Sequence, residues 1–75
     1  MNARMQAVLA FIGDYHAEHG YAPSIREIAT DLGLSVSNAH RYVRRLKDMG
    51  RLTYTEGIAR SIVLRREMAT SAIGS

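Results

Sequence analysis

Four side chains able to read the edges of nucleobases fall within five positions, Ser37, Asn38, His40 and Arg41, in the stretch SVSNAHRYVRRLKDMG. Arginine bonds bidentately to guanine and asparagine to adenine, each pairing worth about 1–3 kcal/mol of discrimination against a wrong base. Three more cations follow, Arg44, Arg45 and Lys47, placed to meet phosphates. At 100° per residue, Ala39, Val43 and Leu46 share one side, with Tyr42 and Met49 at its margin. Ser37, Arg41, Arg44 and Asp48 then lie opposite, and Asn38, His40 and Arg45 occupy the flanks. The spacing predicts a helix over about 36–49 with a basic face, and a helix is the element that fits the major groove of B-DNA.

Such a helix is useful only if something aims it. Ser35 is its expected N-cap, with Leu34 pointing inward just before. Upstream, Ser24-Ile25-Arg26-Glu27 fits a capping box, in which the serine hydroxyl accepts from the Glu27 amide and the Glu27 carboxylate reaches back. Ile25, Ile28, Ala29 and Leu32 form one face of the short helix that follows, and Gly33 ends it. Two or three residues between the helices force a sharp crossing rather than a long antiparallel hairpin. The amides opening both helices, near Ser24 and Ser35, can also hold phosphates, although capping accounts for the two serines equally well. A first helix is expected over about 3–19, where Met5, Val8, Leu9, Ile12 and Tyr15 carry the apolar spacing and Phe11 widens it. Gly13 weakens that helix by about 1 kcal/mol relative to alanine.

After Gly50 the pattern alternates. Leu52 and Tyr54 share one face of a first strand, Ile62 and Leu64 one face of a second, and 56–60 is the connection of a hairpin. A lone hairpin is marginal in water, so its apolar face is expected to dock on the helices. Thr53 and Thr55 face outward, able to hydrogen-bond phosphates, and Arg60 beside Gly57 can reach a minor groove or a phosphate.

Charge follows the same division. Residues 1–34 hold two cations against four anions, a net −2, whereas residues 35–75 hold eight against three, a net +5. That asymmetry suits a polyanion met by the second half of the chain. Seventy-five residues make one small domain, and 47% hydrophobic with 23% charged residues is an ordinary globular composition. The absence of cysteine excludes disulfides and thiolate metal sites. His16 and His19 lack a third ligand at matching spacing, no nucleophile elbow or glycine-rich phosphate loop is present, and no apolar run reaches membrane-spanning length. No enzyme activity, cofactor or metal is expected, and a cytoplasmic location is.

Three segments, GYAPSIREIATDLGL, SNAHRYVRRLKDMG and RLTYTEGIARSIVL, resemble the N-terminal DNA-binding domain of LexA-type repressors over about residues 3–64. The most specific parts are the proline with its capping box and the ending GxxRxIxL, here Gly57-Ile58-Ala59-Arg60-Ser61-Ile62-Val63-Leu64. The resemblance implies a mainly α, three-helix winged helix-turn-helix with a small β-hairpin. It also implies that Ser37, Asn38, His40 and Arg41 lie on the recognition helix and that Thr55, Gly57 and Arg60 lie in a wing over 55–61. The implied function is sequence-specific binding of double-stranded DNA by a transcriptional regulator, a repressor by analogy. Because one such domain has limited contact area, tight binding is expected to need a homodimer on an inverted repeat. The self-cleaving domain of a full LexA repressor needs a serine–lysine pair. The only lysine here is Lys47, so a chain ending at Ser75 is expected not to cleave itself. The recognition face is basic, so the resemblance brings no particular operator with it. A winged fold also serves to bind proteins, and a protein-interaction module or inhibitor is the competing expectation. Domain limits of 1–66 are expected, with 67–75 a flexible tail in which Met68, Ala69, Ala72 and Ile73 are the residues able to pair.

Overall fold

The computed structural model describes residues 2–65, which form three helices and one short hairpin. The tail and its proposed pairing residues lie outside the described residues. Helix α1 is Ala3–His19, α2 is Ile25–Leu32 and α3 is Val36–Asp48, followed by strands β1, Leu52–Thr53, and β2, Val63–Leu64. Three of these starts are capped as the sequence dictates. The Asn2 side chain accepts from the Met5 amide, Ser24 and Glu27 complete a capping box, and Ser35 accepts from the Asn38 amide.

The bend between α2 and α3 is built by Gly33, whose φ of 67° is left-handed. The Leu34 amide donates to the Ala29 carbonyl at 2.8 Å and the Gly33 amide to Thr30 at 3.5 Å, the double closure of a Schellman motif. That motif stops α2 and turns Leu34 against the core one residue before the Ser35 cap. The same arrangement ends α3, where the Arg51 amide donates to Leu46 at 2.9 Å and Gly50 takes a φ of 77°.

One core serves all three helices and the hairpin: Met5, Val8 and Ile12 from α1, Ile28 and Ala29 from α2, Ala39, Val43 and Leu46 from α3, and Leu52 and Ile62 from the hairpin. Helix α2 lies across α3, and α1 packs against both while touching β2.

The hairpin is shorter than its alternating pattern predicts. Leu52 pairs with Leu64 and Thr53 with Val63, and the ladder stops there. Beyond it the Ser61 hydroxyl takes over, accepting from the Thr55 amide at 2.9 Å and facing the Thr55 and Ile58 carbonyls at 3.1 and 2.9 Å. A side chain thus occupies the backbone groups that a longer ladder would use. Ile62 is buried as expected, but Leu64 is 38% exposed, lying over Gly13 of α1 at the margin of the core.

Two glycine substitutions are expected to act in opposite directions. A Cβ added at Gly13 would sit 3.6 Å from the Leu64 Cδ1, ordinary contact, so Gly13→Ala should raise stability by up to about 1 kcal/mol through helix propensity. At Gly33 a Cβ would meet nothing within 4 Å, so Gly33→Ala carries only the left-handed backbone cost of about 1–2 kcal/mol. Urea melts of the two variants check the signs; equal shifts of the same sign would contradict this account of the turn.

Candidate nucleic-acid interface

The outer face of α3 is set by what its inner face buries. Ala39, Val43 and Leu46 have no accessible surface, which fixes the rotation of the helix about its axis. Ser37, Asn38, Arg41, Arg44, Arg45 and Lys47 are in consequence all exposed. Ser37, Asn38 and Arg41 lie in the first turn and a half, at the N-terminal end of α3, where a helix favours negative charge. Arg44, Arg45 and Lys47 continue toward the C-terminus, and the last two complement the helix dipole there.

His40 is placed differently from its neighbours. It is half-buried, its Nε2 is 3.7 Å from Glu56 Oε1, and its ring stands edge-on to Tyr54 at 6.1 Å. The Tyr54 hydroxyl donates to Glu56 Oε2 at 2.9 Å, and the Lys47 ammonium lies 4.8 Å above the Tyr54 ring. One flank of α3 therefore grips the hairpin. The Tyr54 hydrogen bond is the main cause holding the Glu56 carboxyl below the usual range. Partial desolvation opposes it, and His40, Arg44 and Lys47 add smaller attractions. Burial, with the same bond to Glu56, pushes the Tyr54 phenol up.

Four of the expected contact residues meet along one cleft of about 290 Å³. Ser24 from the start of α2, His40 from α3, and Thr55 and Gly57 from the hairpin loop line it, together with Arg26 and Val36. The start of α2, the first turns of α3 and the loop thus share one edge of the molecule. Ser24 is committed to capping, its hydroxyl accepting from Glu27 N at 3.1 Å and its amide donating to Glu27 Oε1 at 2.9 Å. Ser35 likewise accepts from Asn38 N at 3.1 Å. Arg26, at the second position of α2, is exposed on this edge as well, and helical spacing from the buried Ile28 is the sequence signal that puts it there.

Arg60 lies on the inner side of the loop, turned toward the helices. Its Nη1 and Nη2 donate to Glu27 Oε1 and Oε2 at 2.9 Å each. Nη1 also lies 3.1 Å from the Ala22 carbonyl and 3.2 Å from the Tyr15 hydroxyl. The guanidinium carbon stands 4.9 Å from the Tyr21 ring centre. The Arg60 bond is the first cause, and the Ser24 amide the second, of a Glu27 carboxyl lowered to about 2, against a smaller opposing effect of desolvation.

That depression gives a pH dependence of defined sign. A carboxylate stabilised in the folded state contributes stability above its unfolded pKa and loses it as pH falls through the folded one. The Glu27 contribution is accordingly complete above about pH 4.5 and lost toward about pH 2. The melting midpoint of the wild type should fall more steeply across that window than that of Glu27→Gln, so that the two converge in acid. Parallel curves would contradict the assignment.

Among the described residues no group of three or more His, Cys, Asp or Glu side chains is arranged to hold a metal ion. His19 instead stacks on Tyr15 at 4.1 Å. No helix among the described residues is long and apolar enough to cross a membrane.

Three helices, a glycine-turned crossing between the last two, and an antiparallel hairpin packed on the third define a winged helix-turn-helix. The family described as the LexA DNA binding domain matches residues 1–61. The chain belongs to that family. It is similar to LexA repressor 1 of Nocardia farcinica, 44% identical over 63 residues covering 83% of this chain and 29% of that protein. It is also similar to the LexA repressors of Thermosipho africanus and Geotalea uraniireducens, 39% and 35% identical over 93% and 97% of this chain. Those alignments cover 35% and 37% of the relatives, so the chain spans about a third of the length of the curated proteins it matches.

Proposed function

We propose that the chain is a sequence-specific DNA-binding module of a transcriptional repressor. Helix α3 enters the major groove, Ser37, Asn38 and Arg41 meet base edges, and Arg44, Arg45 and Lys47 meet phosphates. The amides at the starts of α2 and α3, beside Ser24 and Ser35, take further phosphates. The wing, through Thr55 and the backbone near Gly57, lies over the adjacent minor groove or backbone. His40, the fourth expected base contact, borders the base-reading group while it stays against Glu56.

The observation that carries this reading is the exposure of Ser37, Asn38 and Arg41 side by side on a helix whose rotation is fixed by three fully buried residues. A charged face held in one orientation suits a partner of fixed geometry. The family match and the names of the relatives, all repressors, support the same reading. One domain of this size offers limited contact area, so tight binding calls for two copies on an inverted repeat.

Titration of a duplex selected by the domain from a random pool, beside a scrambled duplex, tests it at two salt concentrations. The selected duplex should bind at least about 10³-fold more tightly, and both affinities should fall steeply with salt. Affinities that remain equal and weak would favour the other use of a winged domain, in which the basic face meets an acidic protein.

A further inference from the structure

The residue of the 55–61 loop with the most hydrogen bonds, Arg60, makes them to α1, to α2 and to the segment between the two helices. We infer that Arg60 is the wing-positioning residue of this domain: through Glu27 it fastens the wing to the start of α2, and it serves DNA binding by setting where the wing stands. The inference rests on the DNA-binding reading above and deepens it.

The geometry is that of a latch. Glu27 lies 33 residues before Arg60, at the third position of α2, and its carboxylate is fully used. Oε1 accepts from the Ser24 amide and Arg60 Nη1, and Oε2 from the Tyr15 hydroxyl and Arg60 Nη2. The group that caps α2 is therefore the same group that holds the wing. A fork-to-fork arginine–carboxylate pair fixes direction as well as distance, which a lysine cannot do.

Arg60 also has a left-handed backbone, with φ of 59°, the one non-glycine residue of this kind among the described residues. Such a conformation persists where the surroundings over-determine it, and here four hydrogen bonds and the stack on Tyr21 do so. The remaining hydrogen bonds of the loop are local. The Ser61 hydroxyl ties Thr55 to Ile58, and the Ile58 amide donates to the Thr55 carbonyl at 3.1 Å. They shape the loop without placing it on the domain. Placement comes from Glu56 against His40 on α3 and from Arg60 against Glu27 on α2.

The test compares Arg60→Gln, Arg60→Lys, Glu27→Gln and the double variant Glu27→Gln/Arg60→Gln. Glutamine at position 27 keeps an acceptor for the capping box while removing the charge. Affinity for the selected duplex is measured over a range of salt, and amide hydrogen exchange of 55–61 is measured on the free proteins. The latch predicts that Glu27→Gln and Arg60→Gln weaken binding by similar amounts, about 3–10-fold, and that the double variant is no worse than either. It also predicts no rescue by Arg60→Lys, an unchanged salt slope, and faster exchange over 55–61 in each variant.

An arginine that contacts DNA directly gives the opposite pattern. Arg60→Gln then lowers the salt slope by about one, Arg60→Lys restores most of the affinity, and Glu27→Gln leaves binding unchanged or strengthens it. Any of these results, or additive losses, overturns the inference. If Glu27→Gln melts early, Arg60→Gln, which leaves the cap intact, decides. If the wild type enriches no duplex, the DNA-binding reading fails on its own, and hydrogen exchange still judges the latch: unchanged exchange over 55–61 refutes it.

Discussion

Leu46→Ala should cost about 2–5 kcal/mol, the range for truncating a fully buried leucine whose site does not collapse. Leu46 has no accessible surface and lies in the core with Ala39, Val43 and Leu52, between α3 and the hairpin. A domain of 75 residues holds roughly 4–11 kcal/mol of total stability, so this single loss removes a large share of it. The urea midpoint should fall while the slope of the transition stays constant. DNA binding should weaken too, because the residue that leaves the cavity is one of the three that fix the rotation of α3. A shift below about 1 kcal/mol would mean that the α3 stripe does not seat in the core as described.

The second large effect concerns binding alone. Arg41→Ala should weaken the selected duplex by about 1–3 kcal/mol and relax preference at one base position. Arg41 is exposed and its neighbours are Asn38 and Ser37 on the same turn, so its removal creates no cavity and should leave the melting curve nearly unchanged. Arg45→Ala, on the flank and near the end of α3, should weaken all duplexes alike and reduce the salt slope by about one. The pair of variants separates a base contact from a phosphate contact on one helix.

Much of the scaffold was legible in the residues because it is local. The capping box needs only Ser24 and Glu27, three apart, and the Schellman closures need only a glycine after an apolar stripe. Three buried positions at helical spacing predicted correctly that Ser37, Arg41 and Arg44 would face outward. What escaped was placement across long separations. Nothing in the local pattern pairs Arg60 with Glu27, 33 residues away, or turns His40 toward Glu56. The strand lengths escaped for a related reason: alternation continues through Thr55 and Ser61, but the Ser61 hydroxyl claims the backbone groups that the ladder would need. Leu64 alternates correctly with Ile62 and still ends up partly exposed, because the hairpin reaches the margin of α1 rather than its centre.

These two interactions give the wing a place on the domain from both sides, α2 through Glu27 and α3 through His40. The edge proposed to meet DNA is thereby assembled from three segments in the free domain. Preorganisation of this kind reduces the ordering cost of binding.

The exposed face of α3 is the part of the domain proposed to read sequence. Selection from random duplexes, run in parallel with the wild type and Arg41→Ala and resolved base by base, tests that role most directly. The wild type should show a preference spanning several adjacent positions, with one of them flattened in Arg41→Ala and the rest retained. A wild type that enriches no sequence, or an Arg41→Ala profile identical to it, would contradict the proposal.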